Sequence, residues 1–330
     1  MRNEAGESSW ERLRRSRAAR FAFALRRLLL RRETAAGVWS EQAGTWSLAG
    51  GRHWTELLQV QELVNQRVSG DPSVNPYEYF LRSRLGGHLP VRRALTIGCG
   101  SGELERGLAR LGFATEHLGI DVAQGAIEKA IDAARREGFG QLRYRAEDAN
   151  DIRLQVGSFD VVFGVHSIHH VSRLESLFEQ VAGALRPDGI FFLNEFVGPS
   201  RFQWTERQLE VVNGLLRVLP EGYRVSRVDG ALKKRVRRPT VAEVVATDPS
   251  EAVRSAEILE VASSFFEILE VRPYGGTVLQ ILLDDIAGNF EAAGEQGRKL
   301  VAAMADLEWA LIEGGDLASD FAVVVARPKG

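Results

Sequence analysis

The chain has 330 residues, 45% apolar and 26% charged, a balance that excludes a disordered or collagen-like polymer and suits a globular protein of more than one layer. Its 42 basic and 44 acidic side chains nearly cancel, so bulk charge gives no argument for a nucleic-acid partner. One cysteine, Cys99, excludes an internal disulfide and a cysteine-based zinc site, and no metal centre is expected. The apolar runs at 159–165 and 321–326 fall far short of the ~20 residues a membrane-spanning helix needs. The arginine-rich start has no uninterrupted apolar stretch of the signal-peptide kind, so a cytoplasmic location is expected; an organellar transit peptide stays open as a second reading.

Residues 10–33 alternate arginine with apolar side chains, and Phe21, Leu25 and Leu28 recur at helical spacing. This basic amphipathic helix either packs on the main body or meets a membrane surface or an anionic partner. Residues 34–90 mix aromatics such as Trp39, Trp46 and Trp54 with turn formers. A helix is expected over 55–68, ended by Gly70-Asp71-Pro72, and a short one carries Tyr77, Tyr79 and Phe80. From residue 91 strands and helices alternate: strands at 93–97, 117–120, 142–145, 159–163 and 190–194, with helices at 103–111, 123–136 and 174–185. A turn at 186–189 leads into the last of these strands. Such alternation implies a parallel sheet covered by helices on both faces, joined by right-handed crossovers.

After residue 198 the alternation lapses. Helices are expected at 205–218, 240–246, 249–258, 277–286 and 296–312, strands at 265–271 and 321–326, and a basic run occupies 233–238. The organisation reads as an N-terminal helical cap (1–90), a ligand-binding core (91–198), a helical insertion (199–260) and a C-terminal part (261–330). The last of these completes the sheet and carries its own helical insertion at 276–315.

The informative segment is Leu95-Thr96-Ile97-Gly98-Cys99-Gly100-Ser101-Gly102-Glu103, where a strand runs into a helix. Glycines at 98, 100 and 102 allow a tight turn and a ligand's close approach to the main chain. The pattern is G-x-G-x-G, since Glu103 stands where a dinucleotide fingerprint has its third glycine. Asp121 ends the next strand, where a carboxylate can accept from both hydroxyls of a ribose. A second acid, Asp148, follows the third strand and suits the amine of an adenine. The fourth strand opens into Gly164-Val165-His166-Ser167-Ile168-His169-His170.

Taken together, this series resembles the class I S-adenosylmethionine-dependent methyltransferases, over about residues 91–198, and within them the small-molecule branch with a His-His pair after the fourth strand. The resemblance implies a Rossmann-like, seven-stranded, mostly parallel sheet in which the last strand, 321–326, lies antiparallel beside the fifth. It implies S-adenosyl-L-methionine as cofactor and S-adenosyl-L-homocysteine as product. Gly98, Cys99, Gly100 and Gly102 would form the turn that cradles the methionine part. Asp121 would hold the ribose, Val122 would pack on the adenine, Asp148 and Ala149 would meet its edge, and Val165 would line the site. One departure stands out: the family commonly carries an acid two places before the first glycine, and this chain has Thr96.

Methyl transfer needs an aligned nucleophile and, for a hydroxyl, a group to take its proton. His166, His169 and Glu195 sit at the ends of the fourth and fifth strands and are the candidate bases. Tyr77, Tyr79, Arg201 and Trp204 are candidate acceptor contacts. The basic run at 233–238 reads either as a solvated loop or as a clamp for an anionic acceptor. The expected acceptor is a small molecule, a glycan or a carrier-bound group with an oxygen nucleophile. Nucleic acid is disfavoured because no Asn/Asp-Pro-Pro-aromatic signature follows the fourth strand. Two other readings stay open: a catalytically silent, donor-binding regulatory or scaffold subunit, and an NAD-linked oxidoreductase.

Overall fold

The structure is a computed structural model that describes residues 53–86 and 88–329; the basic amphipathic segment at 10–33, with Trp39 and Trp46, lies outside the described residues. Seven strands form one sheet: β1 (Val91–Ile97), β2 (Ala114–Asp121), β3 (Leu142–Ala146), β4 (Phe159–Val165), β5 (Leu185–Phe196), β6 (Phe266–Gly275) and β7 (Phe321–Pro328). Their spatial order is β3-β2-β1-β4-β5-β7-β6. The first five run parallel, and β7 pairs antiparallel with both β5 and β6. The expected antiparallel insertion of the last strand is therefore present, with Phe196 opposite Phe321.

The central strands β4, β5 and β7 are apolar on both faces because both faces are covered. Along β4, Val161 and Phe163 enter one buried cluster and Val162 the other; in β5, Phe192 faces the first, and Phe191 and Leu193 the second. The second cluster is closed by helices Leu174–Ala184 and Ile258–Phe265. The first gathers Trp54, Leu57, Val60 and Phe80, together with residues from Glu206–Val218, Leu279–Leu283 and Gly294–Glu313. Residues from 54–81 and from the 279–313 helices thus clothe one sheet face. Arg67 ties these two parts together, donating to Tyr274 O and Ala305 O at 2.8 Å each.

Local chemistry sets the element ends. Thr205 and Gln208 form a capping box that starts Glu206–Val218, and Thr240 and Glu243 form another before Val241–Thr247. Asn75 caps the short helix Pro76–Phe80, with proline at its first position.

Three expectations differ from what is observed. Strand β5 starts at Leu185, before the expected turn at 186–189, and Arg186 pairs with Asp160 across it. The helix expected at 249–258 is a turn followed by Ser255–Glu257 and Ile258–Phe265, because Asp248 Oδ1 captures Ser250 N at 2.7 Å and Ala252 takes a positive φ of 45°. The helix expected at 277–286 is confined to Leu279–Leu283, since Lys233 Nζ takes the carbonyls of Ile281, Leu282 and Asp284 and Asp285 turns left-handed. Among the described residues no helix is long and apolar enough to cross a membrane.

Candidate active site

Strand order reverses between β1 and β4, and a ligand crevice in an open α/β sheet belongs outside the carboxyl ends at that point. Ile97 pairs with Gly164 there, and Asp121 with Ala146 one strand away. A cleft of about 410 Å³ opens at this place. Gly98, Gly100, Asp121, Val122, Asp148, Ala149 and His166 line it, joined by Lys129, Ser167, His170 and Ser250.

The three glycines have different duties. All have positive φ, 70°, 52° and 77° at 98, 100 and 102. A Cβ on Gly98 would overlap the Ser167 side chain, and one on Gly102 would strike the Tyr144 ring. Only at Gly100 would a Cβ meet no protein atom within 4 Å, and there it would occupy cleft space. Gly102, Cys99 and Val165 are not in the cleft lining. Cys99 is a buried packing residue behind the turn, and burial pushes its thiol far up, so it is inert as a nucleophile.

Asp121 organises the turn and still faces the cleft. Its Oδ2 accepts from Gly100 N at 2.9 Å and its Oδ1 from Ala123 N at 2.8 Å. Each oxygen retains a second lone-pair direction for a ligand hydroxyl. Val122 stays 37% exposed in the cleft wall, where its apolar side chain can meet a flat ring. Asp148 is anchored through Oδ1 by Asn150 N at 2.8 Å. The donor set therefore fits S-adenosylmethionine: open main chain at Gly100, a diol acceptor at Asp121, an apolar shelf at Val122 and an acid at Asp148.

The candidate bases divide. Glu195 is fully buried; its Oε1 accepts from Ser167 N and Ile168 N at 2.6 Å each, and its Oε2 meets His169 Nδ1 at 2.8 Å. Burial alone would raise its pKa, but His169 and these amides hold it below the ordinary range. A carboxylate so saturated cannot serve as the proton acceptor expected of it; it positions the turn after β4. His169 is buried and linked to Glu195; burial opposes its charge, yet Glu195 and Glu251 hold its pKa above the ordinary value. Of the three candidates only His166 lines the cleft. It takes a strained φ of 49° at the strand exit and is exposed to the cleft; partial desolvation by the surrounding walls lowers its pKa from the ordinary value, so its ring is neutral near pH 7.

The expected acceptor contacts divide as well. Tyr79 bonds Glu270 Oε1 at 2.8 Å on edge strand β6, and Arg201 donates to Pro249 O and Glu251 O; neither lines the cleft. Tyr77 packs against Phe192 with ring centroids 5.7 Å apart. Trp204 lines a second cavity of about 430 Å³, with Trp54, Phe202, Lys233, Arg235 and Gln280. The basic run is mostly committed: Lys233 caps carbonyls, Arg237 pairs with Glu243, and Arg238 with Glu206. Lys129, Ser167, His170 and Ser250 were not singled out as cleft residues. Ser167 and His170 were signalled by their place in the β4 exit, whereas Ser250 arrives from a distant turn that no local pattern announces.

Behind the glycine turn, Thr96 Oγ1 bonds His117 Nε2 at 2.9 Å. Nearby Glu105 is wholly buried, neither of its carboxylate oxygens has a hydrogen-bond partner, and burial raises its pKa from 4.5 to about 7. Between these values the unfolded chain loses this proton while the folded one keeps it, so stability falls as pH rises through that window. Glu105→Gln is expected to shrink the stability difference between pH 4.5 and 8 by about 2–4 kcal/mol, read by urea denaturation at both pH values. An unchanged difference would show that Glu105 ionises normally in the fold.

Comparison with known proteins agrees with this geometry. Residues 95–193, less than half of the chain, match the sequence model of the family described as "Methyltransferase domain". The chain is 32% identical over 149 residues to the 27-O-demethylrifamycin SV methyltransferase of Amycolatopsis mediterranei (strain S699), covering 42% of this chain and 54% of that protein. It is 31% identical over 155 residues to the ubiquinone biosynthesis O-methyltransferase of Bordetella avium (strain 197N), covering 46% and 61%. The chain thus spans less than two thirds of the length of these relatives. Among solved structures, phosphoethanolamine N-methyltransferase 2 of Haemonchus contortus with S-adenosyl-L-methionine has a TM-score of 0.47 at 20% identity, covering 76% of this chain and 51% of that one. Residues 95–193, which hold the glycine turn, Asp121 and the β4 exit, are thus similar in sequence to a methyltransferase domain.

Proposed function

We propose that the chain transfers a methyl group from S-adenosylmethionine to an oxygen of a small-molecule acceptor. The carrying observation is that Gly100 and Asp121 form one wall of a cleft at the sheet's reversal point, with His166 on the same cleft. The cofactor supplies a methyl already activated by a sulfonium, so the protein's work is alignment, water exclusion and proton removal. Asp121 orients the ribose and thereby the methyl. His166, neutral near pH 7, accepts the proton of the acceptor hydroxyl. Glu195 holds the segment that carries Ser167 and His169, fixing where His166 sits. The two curated relatives support oxygen as the target, since one is named for position 27-O and the other as an O-methyltransferase.

The second cavity has the chemistry of an acceptor chamber. Phe202 and Trp204 stack at 5.7 Å, and Phe321 links the chamber to the cleft by packing on both Trp54 at 5.3 Å and His166 at 5.9 Å. Three buried polar atoms on its lining residues, Trp54 Nε1, Trp204 Nε1 and Gln280 Oε1, have no hydrogen-bond partner. Aromatic walls with two donors and one acceptor suit a flat, oxygenated molecule.

The test is transfer of labelled methyl from S-adenosylmethionine to a panel of phenols, hydroxyquinones and polyketide alcohols. Turnover on at least one acceptor is expected, falling about 10²–10⁴-fold in His166→Ala with donor affinity unchanged. Tight donor binding without turnover across the panel would instead favour the silent-subunit reading.

A further inference from the structure

We propose that His169, His170 and Glu251 bind a divalent transition-metal ion of the zinc class at the edge of the donor cleft. One ligand atom from each of these residues lies within 4.8 Å of the other two. The 168–170 turn supplies the two imidazoles, and the turn after Val241–Thr247, far away in sequence, supplies the carboxylate.

The geometry around His169 favours an ion. Its Nδ1 is 2.8 Å from Glu195 Oε2, an oxygen that can only accept from it, so Nδ1 carries the hydrogen and Nε2 can present its lone pair. That Nε2 lies 3.7 Å from Glu251 Oε1. The separation is too long for a hydrogen bond. It is close to the ~3.3–3.6 Å expected between two atoms each ~2.0–2.2 Å from one tetrahedral ion. A carboxylate behind the liganding imidazole, as Glu195 is here, fixes the tautomer and raises the ring's basicity toward a metal.

A second observation points to the same place. Asp248 is 2% exposed, yet its Oδ2 has no hydrogen-bond partner and sits 3.9 Å from His170 Nδ1. Its other oxygen is occupied by Ser250 N and Oγ, at 2.7 Å each. A buried carboxylate oxygen left over beside two imidazoles is explained by a cation in the cluster. Mixed imidazole and carboxylate donors select zinc, cobalt or nickel over magnesium or calcium.

The ion has a structural task at this position. The 168–170 turn and the 248–254 turn are joined by Val253 N donating to His169 O at 3.0 Å, and His170 and Ser250 both line the donor cleft. A metal bridging the two turns fixes that side of the cleft. The competing occupant is a proton, which would leave His169 as an imidazolium between Glu195 and Glu251.

Cobalt titration of the full chain, tag-free, treated with chelator and dialysed, separates the two. One equivalent of Co²⁺ is expected to bind with the visible absorption of a tetrahedral site and to be displaced by Zn²⁺. Glu251→Gln and His169→Ala should each weaken Co²⁺ binding roughly tenfold or more. Zn²⁺ should raise the melting temperature of the native chain and not that of folded Glu251→Gln. Absence of both the absorption and the thermal shift, or absorption unaltered in Glu251→Gln, overturns the proposal. The outcome is independent of methyl transfer, because no step of the assay uses the methyl donor.

Discussion

Asp121→Ala lowers affinity for S-adenosylmethionine by about 10- to 150-fold, the equivalent of losing about 1.5–3 kcal/mol of hydrogen bonding to a charged group. Two effects combine in this variant. The ribose hydroxyls lose their acceptor, and Gly100 N and Ala123 N lose the oxygens that hold the turn. Asp121→Asn separates them, because the amide oxygen can keep one main-chain bond while the charge is gone; its affinity should fall between the two. Equal affinity in native and alanine forms would contradict the ribose assignment.

The glycines should dissociate folding from binding. Gly98→Ala forces a Cβ into Ser167 while φ is 70°, so overpacking adds to left-handed strain and a loss of about 2–5 kcal/mol in stability is expected. Gly100→Ala meets no protein atom and bears only the strain of its φ of 52°, about 1–2 kcal/mol. Its methyl instead occupies space in the cleft, so donor affinity should drop about tenfold or more in a chain that still folds. Denaturation and titration of the two variants side by side check this. If both lose only stability, the cleft at Gly100 does not hold a ligand.

The sheet was legible in the sequence because its strands are short apolar runs bounded by turn formers, a local signal. The antiparallel last strand came from the family resemblance, and no periodicity in 321–326 distinguishes its direction. The glycine turn and Asp121 could be read because chain neighbours create that site: the turn and the next strand end lie side by side in a β-α-β unit. Residues whose place depends on distant segments were harder to place. Tyr77 and Tyr79 were paired as acceptor contacts, although residues two apart on a helix face different ways. Accordingly Tyr77 packs on Phe192 and Tyr79 reaches Glu270. Glu195 looked like a base because it sits at a strand end; only the fold reveals that two amides of the neighbouring turn and His169 saturate it. The basic run reads as a solvated loop or a clamp; in the fold Lys233 meets the carbonyl of Asp284, Arg237 pairs with nearby Glu243 and Arg238 with Glu206. Nor did anything near residue 250 announce that Ser250 and Glu251 lie against the His-His pair.

Isothermal titration of the purified chain with S-adenosyl-L-homocysteine is the most direct measurement of whether the cleft bounded by Gly100, Asp121 and Val122 is a nucleoside site. Saturable heat at one site, with affinity about 10- to 150-fold lower in Asp121→Ala, is the predicted result. A folded chain that releases no heat with either the donor or its demethylated product would contradict the account.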